Sequence, residues 1–219
     1  MRKQLQILTI AILFSVAAAR SETLVFQVIG IDCAECAPPI VKALKNVEGV
    51  TSARVDAKKK TATVEIPTGF DVEKLRTAVS NAGFVAVFAG ETPKEIEPLP
   101  ADVVKTLDIR SYTEGRRLNF AEIVAPGKTT IVDFYADWCG PCRILEARIQ
   151  RLMNGDRKNL ALRRIDIGKW DNDAAKQATE LRAEALPYLR VYDARGKFVT
   201  SVTGGMWDEV LAAIEKGER

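Results

Sequence analysis

The sequence predicts two small α/β units joined by a stiff connector, and three observations lead there. The stretch 90–101, GETPKEIEPLPA, carries Pro93, Pro98 and Pro100 with no apolar period, so it reads as an extended linker. Before it, strand and helix signals follow the order β-α-β-β-α-β, that of a split βαβ sandwich. After it, the run TTIVDFY at 129–135 is almost wholly apolar or β-branched, as in a central strand covered on both faces. The expected organisation is a leader at 1–19, a first unit at 20–90, a linker at 91–102 and a second unit at 103–219.

In the first unit, 24–29 (LVFQVI) suits a strand, and Gly30 opens a loop that carries Cys33 and Cys36. Pro38 and Pro39 fit the first turn of a helix, where no intrahelical N–H is missed. Ile40, Val41, Leu44 and Val47 follow at helical spacing, and Gly49 stops the helix. Residues 50–55 are a second strand. Lys58, Lys59 and Lys60 make a solvated hairpin turn, and 61–66 alternates as a third strand. Residues 71–81 form a second helix with Val72, Leu75 and Val79 on one face, closed by Gly83, and 84–88 is a fourth strand.

In the second unit, 103–109 reads as a first strand and 120–124 as a short helix before the turn at Pro126 and Gly127. The central strand 129–135 leads through Cys139 into a helix marked by Ile144, Leu145, Ile149, Leu152 and Met153. A strand at 160–167, a helix at 170–181, a hairpin of 188–192 with 198–203, and a helix at 207–214 complete it. No internal repeat links the units; they share only a cysteine spacing.

That spacing is the main chemical signal. The chain has four cysteines, arranged as two Cys-x-x-Cys pairs, and no histidine. Without imidazole there is no histidine-based triad or metal site. Beyond carboxylates, lysine and hydroxyls, chemistry must run through sulfur, as thiol–disulfide exchange or thiolate–metal binding.

Arg2 and Lys3 precede a 15-residue apolar run, 5–19, that ends in three alanines. This has the form of a secretory signal with an A-x-A cleavage site, and it is short for a membrane span. The expected location is the periplasm, with an uncleaved N-terminal anchor as the alternative. No cysteine follows the run, which disfavours a lipoprotein. The net charge of +3 falls nearly to zero once residues 1–19 are set aside, and no basic stripe favours nucleic acid. Nothing in the sequence signals oligomerisation, so a monomer is expected. In an oxidising compartment an exposed dithiol stays reduced only if something supplies electrons.

Cys139 lies where a strand gives way to a helix. A thiolate there faces unpaired backbone N–H groups and the positive end of the helix dipole, which lowers its pKa. Cys142 is one turn further in and less exposed. The division of labour follows: Cys139 attacks a disulfide and Cys142 resolves the mixed disulfide. Gly140 and Pro141 shape the turn between them. The plainer readings are a structural disulfide or half of a zinc site.

The segment Trp138-Cys139-Gly140-Pro141-Cys142 resembles the thioredoxin active site, and the resemblance extends over about 103–217. It implies a thioredoxin fold and protein disulfide reductase activity with no redox cofactor. It also implies a buried acid at Asp133 that moves the proton of the second cysteine, and a cis-proline at Pro187 that shapes a peptide groove. Gly204 and Gly205 are similar to the glycine beside that groove. The wording from Tyr135 to Cys139, with Glu146 beyond, is similar to the C-terminal domain of the membrane thiol-reductant transporter DsbD. That likeness implies a membrane electron donor of the DsbD or CcdA kind. Three positions depart from the pattern: Tyr188 follows Pro187 in place of threonine, Ala147 replaces a helix-kinking proline, and Leu162 stands for the lysine often paired with the buried acid.

The stretch GIDCAECAPPIVKALKNVEGV resembles the heavy-metal-associated domain of copper chaperones and mercury-binding proteins, over about 22–90. It implies a ferredoxin-like βαββαβ fold and a soft-metal site, for Cu(I) or a similar ion, at Cys33 and Cys36. The usual loop methionine is Ile31 here, and the resemblance places it in the core. Three readings compete for this pair: metal binding, a redox pair serviced by the second unit, and a docking module with a stable disulfide.

The sequence as a whole reads as an exported thiol–disulfide oxidoreductase that acts on protein disulfides or metal-binding dithiols, Cys33 and Cys36 among them. The competing class is a periplasmic copper or mercury carrier that uses the thioredoxin fold as a docking module.

Overall fold

The computed structural model describes residues 20–92, 97 and 99–219. The expected leader, 1–19, and residues 93–96 and 98 of the expected linker lie outside the described residues. No described helix is long and apolar enough to cross a membrane.

The first unit contains β1 (Ser21–Ile29), α1 (Ala37–Lys45), β2 (Ser52–Asp56), β3 (Thr61–Pro67), α2 (Glu73–Asn81) and β4 (Val85–Val87). Its antiparallel sheet runs β2-β3-β1-β4, the ferredoxin-like order. Period-two alternation sends Phe26, Val28, Val64 and Ile66 to one face, where Ile40 and Leu44 of α1 and Leu75 and Val79 of α2 cover them. Each such aliphatic side chain stabilises the unit by about 1.5–3 kcal/mol. Pro38 and Pro39 fall in the first turn of α1 as expected. The opposite face is bare at Val25 but covered at its β1–β4 corner, where Ile29, Val85 and Val87 pack against Ile144 of the second unit.

The second unit contains α3 (Ala101–Val104), β5 (Ile109–Tyr112), α4 (Phe120–Ile123), β6 (Thr129–Tyr135), α5 (Gly140–Asn154), β7 (Leu160–Asp166), α6 (Asp173–Glu180), β8 (Tyr188–Tyr192), β9 (Phe198–Thr203) and α7 (Trp207–Gly217). Its sheet runs β5-β7-β6-β8-β9, with β6 central, parallel to β7 and antiparallel to β8. All seven residues of β6 are buried, as the apolar run requires. Leu145, Ile149 and Met153 of α5 join Val210, Ala213 and Ile214 of α7 in one core cluster, and three alanines of α6 belong to another.

Two expected elements change. The strand expected at 103–109 is replaced by the short helix α3, which begins inside the expected linker, and the first strand comes later. Pro100 caps that helix, and the amides of Val104 and Lys105 bond to the carbonyls of Pro100 and Ala101. This local closure outweighs the strand preference of the valines. The helix expected from 170 begins at Asp173, because Trp170 has φ 65° and Asn172 caps the helix by accepting the amide of Ala175 at 2.8 Å.

Candidate functional site

Strand β6 delivers its chain through a tight turn, with the amide of Cys139 bonded to the carbonyl of Ala136, into the N-terminus of α5. Cys139 is the N-cap: its backbone is extended, and its Sγ accepts the amide of Cys142 at 3.2 Å. Pro141 occupies the first turn, where it costs no hydrogen bond. A 15-residue helix thus points its positive end at this sulfur. Cys139 and Cys142 are joined as a disulfide. The Trp138 ring stands half exposed beside them and donates its indole N–H to the carbonyl of Gly168 at 2.8 Å.

Asp133 lies on β6 and is fully buried. Neither of its carboxylate oxygens accepts a hydrogen bond from the described residues. Burial pushes its pKa up to about 7, against the pull of Arg164, with the Glu146 charge adding to the rise. Leu162 is not the neighbour of Asp133. The parallel register sets Leu162 against Ile131 and Arg164 against Asp133, and the Arg164 guanidinium approaches Asp133 at 3.6 Å. Arg164 also bonds Glu146 at 3.0 Å and lies over the Tyr135 ring. A cation does accompany the buried acid, two residues beyond the position where the resemblance looked for it. Glu146 belongs to this charged group and does not line the sulfur cleft described below. Its own pKa is raised by burial, against Arg164 and a bond from Gln150.

The Leu186–Pro187 peptide is cis, as the resemblance implied, and Pro187 is buried. Its carbonyl accepts the amide of Gly204 at 2.7 Å, which ties the start of β8 to the end of β9. Tyr188 turns inward and donates its hydroxyl to the carbonyl of Leu181.

In the first unit, Cys33 and Cys36 are also disulfide-bonded. They sit on a single 3-10 turn, Ala34–Cys36, where Cys33 caps nothing through its side chain. Cys33 is exposed and Cys36 is buried. Ile31 is fully buried, where the resemblance placed it. Among the described residues no cluster of three or more cysteine, aspartate or glutamate side chains converges as a metal site. The donor set here is two sulfurs, which suits a two-coordinate soft ion once the disulfide is reduced.

Cys33 and Cys36 share one cleft of about 520 Å³ with Cys139, while Cys142 is fully buried and does not line it. Asp32, Cys33, Glu35 and Cys36 come from one side, and Trp138, Cys139, Gly140 and Pro141 from the other. Cys139, expected to be the accessible sulfur of its pair, is only 4% exposed. Residues of the first unit line the cleft beside it. Asp32 receives bonds from Arg143 at 2.6 Å and Lys60 at 2.8 Å. Lys60 is therefore not simply part of a solvated turn. Partial burial raises the Asp32 pKa, but these two cations outweigh that and hold it below the usual carboxylate range. Asp32, Arg143 and Arg164 are functional candidates that the sequence reading missed. For Arg164, the signal lay in strand register; for Asp32 and Arg143, only in their places beside the two motifs.

The family profile for thioredoxin matches residues 112–216, and that for the heavy-metal-associated domain matches residues 25–84. Thioredoxin H2 of Arabidopsis thaliana is 35% identical over 101 residues, covering 46% of this chain and 71% of that protein. The chain belongs to the thioredoxin family. Its thioredoxin domain is also 31% identical over 105 residues to chloroplastic thioredoxin F of Oryza sativa subsp. japonica, covering 47% of this chain. It spans about half, 54%, of the rice protein's length. The heavy-metal-associated domain is similar to a solved CopZ metallochaperone, with 27% identity and a TM-score of 0.29, covering 30% of this chain and 100% of that one. The Cys139–Cys142 pair falls inside the thioredoxin match, and Cys33–Cys36 inside the other.

Proposed function

We propose that the chain is an exported thiol–disulfide oxidoreductase that works as a reductase in the periplasm. The observation that carries this reading is the Sγ of Cys139 at the N-cap of α5, bonded to the Cys142 amide. When the pair is reduced, the helix end stabilises the Cys139 thiolate, which attacks a protein disulfide. Cys142 then attacks Cys139 and releases the reduced client. With its pKa pushed up to about 7, Asp133 is partly ionised near neutrality, and its carboxylate form takes up the proton that Cys142 must lose. Pro187 and the β8–β9 end shape the groove for the client backbone. Trp138, Gly140 and Pro141 set the geometry around the sulfurs.

The clients are protein disulfides and metal-binding dithiols. The donor is a membrane dithiol protein of the DsbD or CcdA kind, which answers the need for electrons in an oxidising space. The reduced Cys33–Cys36 pair carries a soft ion, Cu(I) or one like it, as cargo. The working unit is a monomer with no role for nucleic acid. The export signal is the leader at 1–19, with an uncleaved anchor as the other possibility.

The burial of Cys139 favours one competing reading, a copper or mercury carrier in which the thioredoxin domain only docks. Dithiothreitol-driven reduction of insulin separates the two. The reductase reading expects turnover by the parent chain and none by Cys139→Ser. A parent that turns over no insulin, and still binds Cu(I) through Cys33 and Cys36, supports the carrier instead.

A further inference from the structure

The junction between the two domains is built for close approach at the sulfurs. A Cβ on Gly140 would overlap the Gly30 carbonyl oxygen and meet Asp32 Oδ2 at 2.5 Å. A Cβ on Gly83 would meet Gly205 Cα at 2.9 Å. Gly140 lies between the catalytic cysteines, and Gly205 lines the same cleft. Bare backbone of one domain thus rests on bare backbone of the other on two sides of the cleft. Ile144 fills a pocket of Ile29, Val85 and Val87. The Arg148 guanidinium donates to the hydroxyl and carbonyl of Ser80 at 2.9 and 3.1 Å. The only ion pair between described residues of the two domains joins Asp32, next to Cys33, to Arg143, next to Cys142.

We infer that the heavy-metal-associated domain is a releasable lid, clasped by Asp32 and Arg143, that makes the Cys33–Cys36 disulfide the preferred in-chain substrate of Cys139 and keeps other protein disulfides out until it opens. This rests on the oxidoreductase reading and names the substrate and regulation of that site. With Cys33, Cys36 and Cys139 on one cleft, exchange is intramolecular, without the cost of bringing two molecules together. The clasp is half exposed and such pairs are weak, so it is the contact of the junction that a single charge change breaks.

The exchange balances. A dithiol donor first reduces Cys139–Cys142. The Cys139 thiolate attacks Cys33, the exposed sulfur of its pair. A Cys139–Cys33 bond forms, the Cys33–Cys36 bond breaks, and Cys36 leaves as a thiolate that takes a proton. Cys142 gives up its proton and attacks Cys139, restoring Cys139–Cys142 and releasing Cys33. Two electrons pass from the second pair to the first.

Two measurements on the full chain test this. With Cys36→Ser and Cys142→Ser combined, mild oxidation by diamide should join Cys33 to Cys139 within one molecule, at a yield independent of protein concentration, as read by non-reducing mass spectrometry. With all four cysteines present, Asp32→Lys sets a third cation against Lys60 and Arg143. It should raise insulin reduction, and iodoacetamide alkylation of reduced Cys139, by roughly three- to tenfold. Added to the two serine substitutions, it should lower the cross-link yield. Arg143→Glu should act alike, and Asp32→Lys with Arg143→Glu should return both readouts toward the parent. Cross-links that form only between molecules, or an Asp32→Lys that moves neither readout, overturn the inference. Absence of insulin reduction in both the parent and Asp32→Lys overturns the oxidoreductase reading instead, while the cross-link, which needs no donor or client, still tests the docking.

Discussion

The two Cys-x-x-Cys loops have the same spacing and very different surroundings. Cys33 sits on one 3-10 turn, exposed, with no side-chain cap bond. Cys139 caps a 15-residue helix, accepts a backbone amide and is buried. Asp133, buried with a raised pKa, lies on the strand that leads to the second pair. The first pair is flanked instead by Asp32, an acid held ionised by two cations. Spacing decides only that two sulfurs can close on each other or on one ion. The helix end and the buried acid give only the second pair surroundings that favour a thiolate.

The sharpest way to break this contrast is Cys139→Ser, expected to bring insulin reduction down to the uncatalysed level. Residual turnover through Cys33 would mean that the helix N-cap is not what activates a sulfur here. Next in size is the order of reduction potentials. Equilibration of the intact chain with thiol–disulfide buffers should place the second pair below the first by at least about 30 mV, a tenfold preference for electrons to flow to Cys33–Cys36. Equal or reversed potentials would remove the direction of exchange.

Asp133→Asn tests the buried acid. Its folded pKa is raised, so the folded state holds the proton more tightly than the unfolded chain does. Stability from this group is full below about pH 4 and is lost as pH rises towards 7. The asparagine variant should therefore gain stability on the order of 2 kcal/mol at pH 8 and little at pH 4, as read by urea unfolding. It should also remove the inflection near pH 7 from the rate at which Cys142 resolves a mixed disulfide. An equal effect on stability at both pH values would mean that Asp133 is not the titrating group. The smallest effect is expected from Ile31→Met, which restores the residue usual in the heavy-metal-associated domain. A volume-conserving swap in a filled core should cost less than about 1.5 kcal/mol and leave Cu(I) affinity unchanged.

Much of the molecule was legible from local pattern. β6, β8 and β9 fall on their predicted residues, because alternation, apolar runs and a four-residue turn are written within a few positions. The Cys139–Cys142 pair was legible for the same reason: a strand, two cysteines and a helix start are consecutive. The misplaced first strand and the late start of α6 show where Pro100 and Asn172, as caps, outweigh side-chain preference.

What the sequence by itself determined, then, is the identity of both sulfur pairs, the two folds and the acid at 133. The tertiary structure alone decided that Arg164 rather than residue 162 faces that acid, since parallel register depends on strands far apart in the chain. It alone decided that Asp32 meets Arg143, that Gly30 and Gly83 lie against Gly140 and Gly205, and that Cys139 is covered. Those contacts join residues more than a hundred positions apart, and no periodicity or propensity along the chain encodes where two finished domains will touch.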